Sequence, residues 1–277
     1  MPPPFRILGL GGGGMKGILH IGALKELSKH QNLEFPDGVY GASIGSILAT
    51  YVAFKLPLDP LVPFIKKNSS LDSAIPKFSL TQIPRALTTK GMYSLDILEK
   101  LILDLFDSQN VDIRKKKLGD APMPLYIIST NITKGCPSMF SKDVLILDAL
   151  KSSCCIPGLF QPYEIYGQLY VDGAHMYPCI APLVPKGPET LVLTLSKQRK
   201  GKLTPSLVES MSPLAYAAEL YALTIGACHD CQLNEYTCSL KYPKLYSDSD
   251  LSEFDTDKVL AHSASQLSRF LTSQILD

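Results

Sequence analysis

The chain has 277 residues, of which 45% are hydrophobic and 19% are charged, and this length and balance fit a globular protein with a sizeable core. With 27 Lys and Arg against 26 Asp and Glu, the net charge is +1, which argues against a nucleic-acid-binding protein. The seven cysteines are an odd number in a chain that is not small, so we expect reduced thiols rather than a disulfide framework.

The first elements in chain order predict an α/β fold. The apolar run 5–10 indicates a buried strand, the glycines of 11–14 form a loop, and apolar residues at helical spacing predict a helix over 15–30. A second short strand begins at Val39 and runs into a tight turn, after which residues 46–56 predict a buried helix. This alternation is typical of a parallel sheet with helices packed on it.

The next elements extend the pattern. Residues 57–91 are rich in proline and predict short helices and loops, which form either a lid over the core or plain irregular structure. An amphipathic helix is expected over 94–106, with Ser94 as its N-cap. Further strands are expected at 125–130, 169–171, 190–195 and 239–246, and further helices at 148–155, 205–228 and 258–275.

No internal repeat or linker divides the sequence, so we expect one domain over residues 1–277. Its motifs lie in a core of about 5–195, and a helical part follows at about 200–277. The stretch 214–227 is apolar but carries Glu219 and is shorter than the ~18 residues of a membrane span, so it predicts a buried helix. With no signal peptide visible, we expect a cytoplasmic protein whose membrane contact, if any, is peripheral.

Two local patterns suggest ligands only weakly. The basic run 114–117 is either a solvated segment or a contact for anionic lipid headgroups. Cys228 and Cys231 form a CxxC pattern, but only Cys238 lies nearby, so we expect buried helical cysteines rather than a zinc site. We therefore predict no metal and no cofactor.

Residues 41–45 read Gly-Ala-Ser-Ile-Gly and match the G-x-S-x-G pattern of a nucleophile elbow. A strand is predicted before this turn and a helix after it, which is the context that the motif requires. Gly41 and Gly45 leave room for crowded backbone, and the Ser43 hydroxyl is presented at a helix N-terminus, where negative charge is stabilised. Ser43 is therefore the candidate nucleophile.

The glycine run 11–14 predicts an anion-binding loop, because free amides between a strand and a helix can converge on one spot. It can serve as an oxyanion hole or as a phosphate cradle, since residues 9–14 also match G-x-G-x-x-G. A dinucleotide site needs an acidic residue after the second strand, where Ala42 and Ser43 stand. A P-loop needs Gly-Lys-Ser/Thr, and the chain has Lys16-Gly17 instead, so both nucleotide interpretations lack their second requirement.

A serine nucleophile needs a proton acceptor, and the histidines offer no clear one. Asp172 and His175 follow Ser43 in the usual hydrolase order, but they are three residues apart on one tight loop. His20 lies on the apolar side of the first helix and is expected in the core. Asp172 ends an apolar strand and precedes Gly173, which suits either a carboxylate at the rim of the sheet or an ordinary Asp-Gly turn.

Three segments, in this order, resemble the signatures of patatin-like phospholipases: Gly-Gly-Gly-Met-Lys-Gly at 12–17, Gly-Ala-Ser-Ile-Gly at 41–45 and Asp-Gly-Ala at 172–174. Residues 152–157 (SSCCIP) and 160–162 also look like the family, and the resemblance spans about residues 5–195. It implies a three-layer α/β fold with a central, mostly parallel sheet flanked by helices.

The resemblance also implies a Ser–Asp dyad without histidine, formed here by Ser43 and Asp172. The oxyanion hole would come from Gly12, Gly13 and Gly14, and the remaining motif positions would support them: Lys16, Gly17, Gly41, Gly45 and Gly173.

The expected activity is hydrolysis of fatty-acyl esters of glycerophospholipids at a membrane surface, with a protein activator left open. A triacylglycerol lipase, a thioesterase or an acyltransferase could use the same dyad. A nucleotide-binding Rossmann protein is the alternative from another class.

Overall fold

The computed structural model describes residues 4–68, 83–196, 203–241 and 255–276. Ten strands are found there: β1 Ile7–Leu10, β2 Gly38–Ala42, β3 Gly91–Tyr93, β4 Leu125–Asn131, β5 Cys136–Phe140, β6 Gly158–Phe160, β7 Tyr163–Ile165, β8 Gln168–Val171, β9 Thr190–Ser196 and β10 Thr237–Lys241.

The same ranges contain nine α-helices: α1 Ile18–Leu27, α2 Ile44–Ala53, α3 Leu61–Asn68, α4 Ile83–Thr89, α5 Leu95–Asp107, α6 Ile146–Cys154, α7 Pro205–Ser210, α8 Pro213–Cys231 and α9 Thr256–Leu276. The predicted N-cap of α5 is confirmed, because the Ser94 hydroxyl accepts a hydrogen bond from the Asp96 amide.

The central sheet is mostly parallel, which confirms the predicted fold class. Its strand order is β10-β9-β1-β2-β4-β8-β7, and β5 pairs with β4. The strands from β10 to β4 run parallel, whereas β5, β8 and β7 pair antiparallel with their neighbours. Most β1, β2, β4 and β9 side chains are buried, as expected of strands covered on both faces.

Two apolar cores lie on the two faces of the sheet, because successive side chains of a strand point to opposite faces. Val39 and Ile127 belong to the larger core, which also contains the buried faces of α1, α2, α5 and α6. Tyr40 and Ile128 belong to a smaller core that is closed by residues 179–184. The sheet is thus the middle layer of three.

The C-terminal elements join the same sheet and helical layer. Strand β10 extends the sheet beside β9. Helix α9 packs closely on α1: a Cβ built at Gly22 would lie 2.0 Å from the Ser263 hydroxyl and 2.5 Å from the Leu260 carbonyl oxygen. Only glycine at position 22 allows this approach of the two helices.

Three sequence expectations are corrected. The helix expected over 205–228 is interrupted between α7 and α8, because Pro213 cannot donate a backbone hydrogen bond and disfavours helix at the residue before it. The stretch 214–227 is not buried, and most of its described side chains are exposed. Cys231, expected to be buried, is exposed at the end of α8.

Other expectations are partly outside the described residues. Of the proline-rich segment, α3 and α4 are seen, whereas 69–82 lie outside the described ranges, so the lid hypothesis stays a prediction. The last strand ends at Lys241, and the rest of the range expected for it also lies outside.

The basic run 114–117 lies at the edge of the sheet where β2 and β4 begin, since it shortly precedes β4. The Arg114 guanidinium is paired with Asp107 and Asp112. Ser43 lies at the opposite end of these strands, where β2 ends.

Candidate active site

Ser43 sits in a strained turn between β2 and α2. It is the N-cap of α2 with φ 55° and ψ −132°, which is a conformation that non-glycine residues rarely adopt. Its amide donates to the Ser153 hydroxyl (2.9 Å), and the Ser153 hydroxyl in turn donates to the Ile128 carbonyl oxygen (2.6 Å). The Ser46 hydroxyl donates to the Ser43 carbonyl oxygen (2.6 Å). Two of these bonds hold the Ser43 backbone at its amide and its carbonyl, and the third ties Ser153 to β4.

The two glycines that flank the serine are required by close backbone contacts. A Cβ at Gly41 would lie 2.5 Å from the Gly45 carbonyl oxygen, and one at Gly45 would lie 2.1 Å from the Leu10 carbonyl oxygen. The first contact closes the turn on itself, and the second brings α2 against the end of β1. The G-x-S-x-G spacing is therefore explained by packing at both glycines.

Asp172 reaches Ser43 because the C-terminal ends of β2 and β8 point toward each other along the same side of β4. The first part of β4 pairs parallel with β2, up to Ala42 opposite Ile128. Its last residues pair antiparallel with β8, where Val171 lies opposite Thr130. Ser43 follows the last residue of β2, and Asp172 follows the last residue of β8. The two side chains therefore meet in the gap between the strand ends. Asp172 follows the C-terminal end of its strand, as expected, but β8 runs antiparallel to β4 and therefore approaches Ser43 from the direction opposite to β2.

The Ser43 hydroxyl donates to Asp172 Oδ2 over 2.6 Å. Both residues are only 5% exposed. Asp172 Oδ1 accepts from the Ala174 amide (2.8 Å), and the Asp172 carbonyl oxygen accepts from the Thr130 hydroxyl (3.0 Å). Burial raises the pKa of Asp172 to about 6, although the bonds from Ser43 and Ala174 oppose this rise by favouring the carboxylate. A buried carboxylate of this pKa is ionised near neutral pH and can still accept a proton.

The glycine loop lies directly against this pair. A Cβ built at Gly12 would be 3.0 Å from the Ser43 Cβ and 2.5 Å from the Ala174 Cβ. Gly14 has φ 56°, in the left-handed region that favours glycine. The Gly11 amide donates to the Leu193 carbonyl oxygen (2.9 Å). By contrast, the amides of Gly12 and Gly13 donate to no backbone carbonyl within the described ranges.

The supporting motif positions are all near this loop and turn. A Cβ at Gly17 would overlap the Ile44 side chain at 2.4 Å, and one at Gly173 would lie 2.2 Å from the Ile128 carbonyl oxygen. Lys16 is half-buried in the single 3-10 turn at Gly14–Gly17, which precedes α1, and its amide donates to the Gly13 carbonyl oxygen (3.3 Å). Glycine is thus sterically required where the loop, α2 and the turn after β8 converge.

None of the histidines donates to or accepts from the side chains of Ser43 or Asp172. His20 is buried, as predicted, and its Nε2 lies 2.9 Å from the Gly11 carbonyl oxygen. His175 Nδ1 lies 2.5 Å from the Tyr221 hydroxyl. The remaining three have other partners: His30 contacts Glu26, His229 contacts Thr194, and His262 contacts the Lys241 carbonyl oxygen.

Sequence reasoning did not single out three supporting hydroxyls, those of Ser46, Thr130 and Ser153. Their partners lie on other elements or one helical turn away, and a hydroxyl's partner cannot be read from a single sequence. The one signal for Ser153 was the resemblance of residues 152–157 to a family motif.

The described ranges hold no cluster of three or more potential metal-binding His, Cys, Asp or Glu side chains. All seven cysteines are free thiols. None of the helices that the structure describes has both the length and the apolar character needed to cross a bilayer.

A serine at a strand-to-helix turn, beside a buried carboxylate and a glycine loop on a parallel sheet, is an arrangement typical of serine acyl hydrolases. The comparison with protein families gives the particular class. Residues 8–183, more than half of the chain, match the family described as patatin-like phospholipase. The chain belongs to this family, and this membership supports a lipid hydrolase.

Curated relatives match parts of the chain, and one of the two described next is named as a lysophospholipase. The uncharacterized protein R571 of Acanthamoeba polyphaga mimivirus is 30% identical over 173 residues, which are 60% of this chain and 57% of that protein. The lysophospholipase NTE1 of Kluyveromyces lactis is 24% identical over 242 residues, which are 85% of this chain and 14% of that protein. The chain thus spans less than two thirds of the length of these relatives.

Two solved structures share the fold. VipD from Legionella pneumophila superposes with a TM-score of 0.55 at 15% identity, covering 98% of this chain and 67% of that one. ExoU in its complex with SpcU, from Pseudomonas aeruginosa, gives a TM-score of 0.52 at 17% identity, covering 99% of this chain and 52% of that one. At this identity the likeness shows the fold alone.

Proposed function

We propose that this chain is a phospholipase that cleaves fatty-acyl esters of glycerophospholipids through a Ser43–Asp172 dyad. The observation that carries the proposal is the 2.6 Å hydrogen bond from the Ser43 hydroxyl to the buried Asp172 carboxylate. Family membership and the relative named as a lysophospholipase support the substrate class.

In the acylation step, Asp172 Oδ2 takes the proton of the Ser43 hydroxyl while Ser43 Oγ attacks the ester carbonyl carbon. The carbonyl oxygen becomes an oxyanion, and the amides of the loop Gly12–Gly14 and the N-terminus of α2 stabilise its charge. When the intermediate collapses, the ester C–O bond breaks and the leaving alkoxide takes the proton from Asp172. A lysolipid departs and the acyl group stays on Ser43.

Deacylation reverses these roles with water. Asp172 takes a proton from the water molecule, whose oxygen attacks the acyl carbonyl carbon. The bond to Ser43 Oγ then breaks, Oγ takes the proton back, and a free fatty acid leaves. The scheme uses no cofactor.

The same two steps would act on triacylglycerol or on a thioester, and an alcohol in place of water would give acyl transfer. Phospholipid is the substrate that we favour, because the chain belongs to the patatin-like phospholipase family. A Rossmann-type nucleotide site is disfavoured, because Ser43 occupies the end of β2 where an acidic residue is needed and Gly12 packs against it.

The test is incubation with phosphatidylcholine vesicles followed by mass spectrometry of the lipids. We expect free fatty acid and lysolipid from the parent and none from Ser43→Ala. Ser108→Ala, which changes an exposed serine after α5, is the matched control and should act as the parent does. Equal release by the parent and by Ser43→Ala would contradict the proposal.

The base is tested separately. Asp172→Asn should fold and lose turnover by at least about 10³-fold, as expected when a positioned proton acceptor is removed. His175→Ala should retain turnover within about tenfold. If His175→Ala were folded and as inactive as Ser43→Ala, a histidine base would replace the proposed dyad.

A further inference from the structure

Helix α8 and its flanks present a concentration of exposed apolar side chains. We call the following residues the α8 surface, each of them between 39% and 48% exposed: Leu207, Tyr216, Leu220, Tyr221, Leu223 and Leu233. They make up six of the twelve large apolar side chains that are exposed within the described ranges. Four of the six lie on α8 itself, and such a concentration on one helix and its flanks marks an interaction surface.

The composition of α8 contrasts with its exposure. A helix that is apolar on all sides is normally buried. Here 215–217, 219–221 and 223–224 are all exposed, so exposed side chains recur on each turn of this part of the helix. Within 205–228 the charged residues are Glu209 and Glu219, and the segment holds no lysine or arginine. A helix with so few charges and so many exposed apolar side chains favours a partner that is itself apolar.

The α8 surface is continuous with the candidate active site. The Tyr221 hydroxyl contacts His175 Nδ1 at 2.5 Å, and the two rings stack at 5.5 Å. The His175 amide in turn donates to the Asp172 carbonyl oxygen (3.1 Å). The exposed Tyr221 ring is therefore separated from the candidate base by a single residue, His175.

The C-terminal end of α8 is anchored beside the glycine loop. His229 Nε2 lies 3.0 Å from the Thr194 hydroxyl, and that hydroxyl is 3.1 Å from a Cβ built at Gly11. The helix thus extends from the loop that follows β8 to the start of the glycine loop. A partner on α8 would therefore lie beside the two loops that hold Ser43 and Asp172.

We infer that the α8 surface docks on a lipid bilayer, with α8 lying in the interface rather than crossing it. The inference rests on the proposed function, because an enzyme that cleaves membrane phospholipids must meet them at the bilayer surface. Leucine side chains suit the acyl region, and the two tyrosines suit the headgroup boundary, where one end of the ring is apolar and the other is wet. Helix α8 carries Glu219 and, like the other described helices, is not long and apolar enough to cross a bilayer, so contact along the bilayer surface is the orientation left to it.

Because 205–228 holds no lysine or arginine, we expect the contact made by α8 itself to be apolar rather than electrostatic. The basic run 114–117 offers no alternative beside the site, since it lies at the opposite edge of the sheet and Arg114 is paired with two aspartates. Binding to zwitterionic vesicles should therefore change little between about 0.05 and 0.5 M NaCl.

The experiment measures vesicle binding without turnover, by flotation of Ser43→Ala protein with phosphatidylcholine vesicles. We expect the Ser43→Ala protein to float with the vesicles. Adding Leu220→Glu and Leu223→Glu should lower the partition coefficient by about tenfold or more, because two charges enter the apolar region. Met139→Glu, which changes a 49% exposed side chain on β5, is the matched control and should float as before.

Circular dichroism and thermal unfolding establish that each variant is folded. Unchanged flotation of the folded Leu220→Glu/Leu223→Glu protein would overturn the inference. So would a failure of the Ser43→Ala protein to float, together with a concentration-dependent dimer that these two substitutions abolish, because the α8 surface would then be covered by a second copy.

Failure of the inference and failure of the proposed function are distinguishable. Hydrolysis of a water-soluble short-chain ester by the parent, absent in Ser43→Ala, tests the dyad without a bilayer. If the ester is cleaved but flotation does not depend on Leu220 and Leu223, the docking surface is wrong and the hydrolase stands. If flotation depends on them and no ester is cleaved, the docking surface stands and the hydrolase is wrong.

Discussion

Asp172 determines the expected pH dependence of the reaction. Burial raises its pKa to about 6, and only its carboxylate form can accept the Ser43 proton. We predict that kcat/KM for a soluble ester rises with pH through about 6 and is level above it. The His175→Ala variant should show the same inflection. An inflection that disappears in this variant would assign the titration to the imidazole.

The same raised pKa links Asp172 to stability. Its folded-state pKa of about 6 lies above the ordinary value of 3.8, so the folded state retains a proton that the unfolded chain has lost. The contribution of this group to stability is full below about pH 4, falls between about 4 and 6, and stays low above.

The variant Asp172→Asn is neutral at every pH, so its stability does not fall as the pH rises past the pKa of Asp172. The difference in unfolding free energy, variant minus parent, should therefore be about 2–3 kcal/mol larger at pH 8 than at pH 4. Urea unfolding at both pH values measures the gain. A difference between variant and parent that does not change with pH would show that Asp172 has an ordinary pKa.

Gly12 is the glycine whose substitution acts most directly on Ser43. An alanine Cβ there would lie 2.5 Å from the Ala174 Cβ and 3.0 Å from the Ser43 Cβ, so the loop or the turn must shift. We predict that Gly12→Ala lowers kcat by about 10²-fold, as the loss of an oxyanion donor does. Gly187→Ala, where a Cβ meets nothing within 4 Å, should leave kcat unchanged. Normal kcat in Gly12→Ala would place the oxyanion donors elsewhere.

At the scale of elements, local signals predicted the nucleophile turn and long-range pairing decided the rest. The turn at Ser43 could be predicted because strand, motif and helix are contiguous. The approach of Asp172 was expected from the family resemblance but not from local signals, because it depends on β8 running antiparallel to β4 and ending opposite Thr130. Strands β3, β6 and β7 have three residues each, too few for a periodic pattern.

Helix α8 shows the limit of a hydrophobic pattern. Its apolar sequence predicted burial, yet the structure leaves most of its described side chains exposed. Hydrophobicity specifies that a surface is removed from water, but not whether the cover comes from the chain itself or from a partner. The same signal that predicts a core helix therefore also marks a docking surface.

The packing of α9 on α1 gives an element-scale prediction. A Cβ at Gly22 would overlap both the Ser263 hydroxyl and the Leu260 carbonyl oxygen, and the backbone atom cannot rotate away. We predict that Gly22→Ala lowers the unfolding free energy by about 1–3 kcal/mol, the usual effect of overpacking. Urea unfolding measures it, with Gly187→Ala as the control. A stability equal to the parent's would mean that α9 does not pack on α1 this closely.

At the scale of the whole molecule, both halves of the sequence contribute to one sheet. Strand β9 lies between β1 and β10, so the motif-bearing core and the C-terminal part share backbone hydrogen bonds. Helix α9 covers α1 from the same C-terminal part. Because neither part can lose these contacts alone without exposing apolar surface, we predict that they unfold as one cooperative domain.

Calorimetry should therefore give a single transition whose calorimetric and van't Hoff enthalpies agree. Labelling of Ser43 by a fluorophosphonate probe, followed through the same transition, should be lost at the same midpoint as the helical signal. In Gly22→Ala both midpoints should fall together, although the substitution lies in the α1–α9 contact and not in the site. Two separate midpoints, with labelling of Ser43 outlasting the first, would show that the C-terminal part is a second unit attached to the catalytic core.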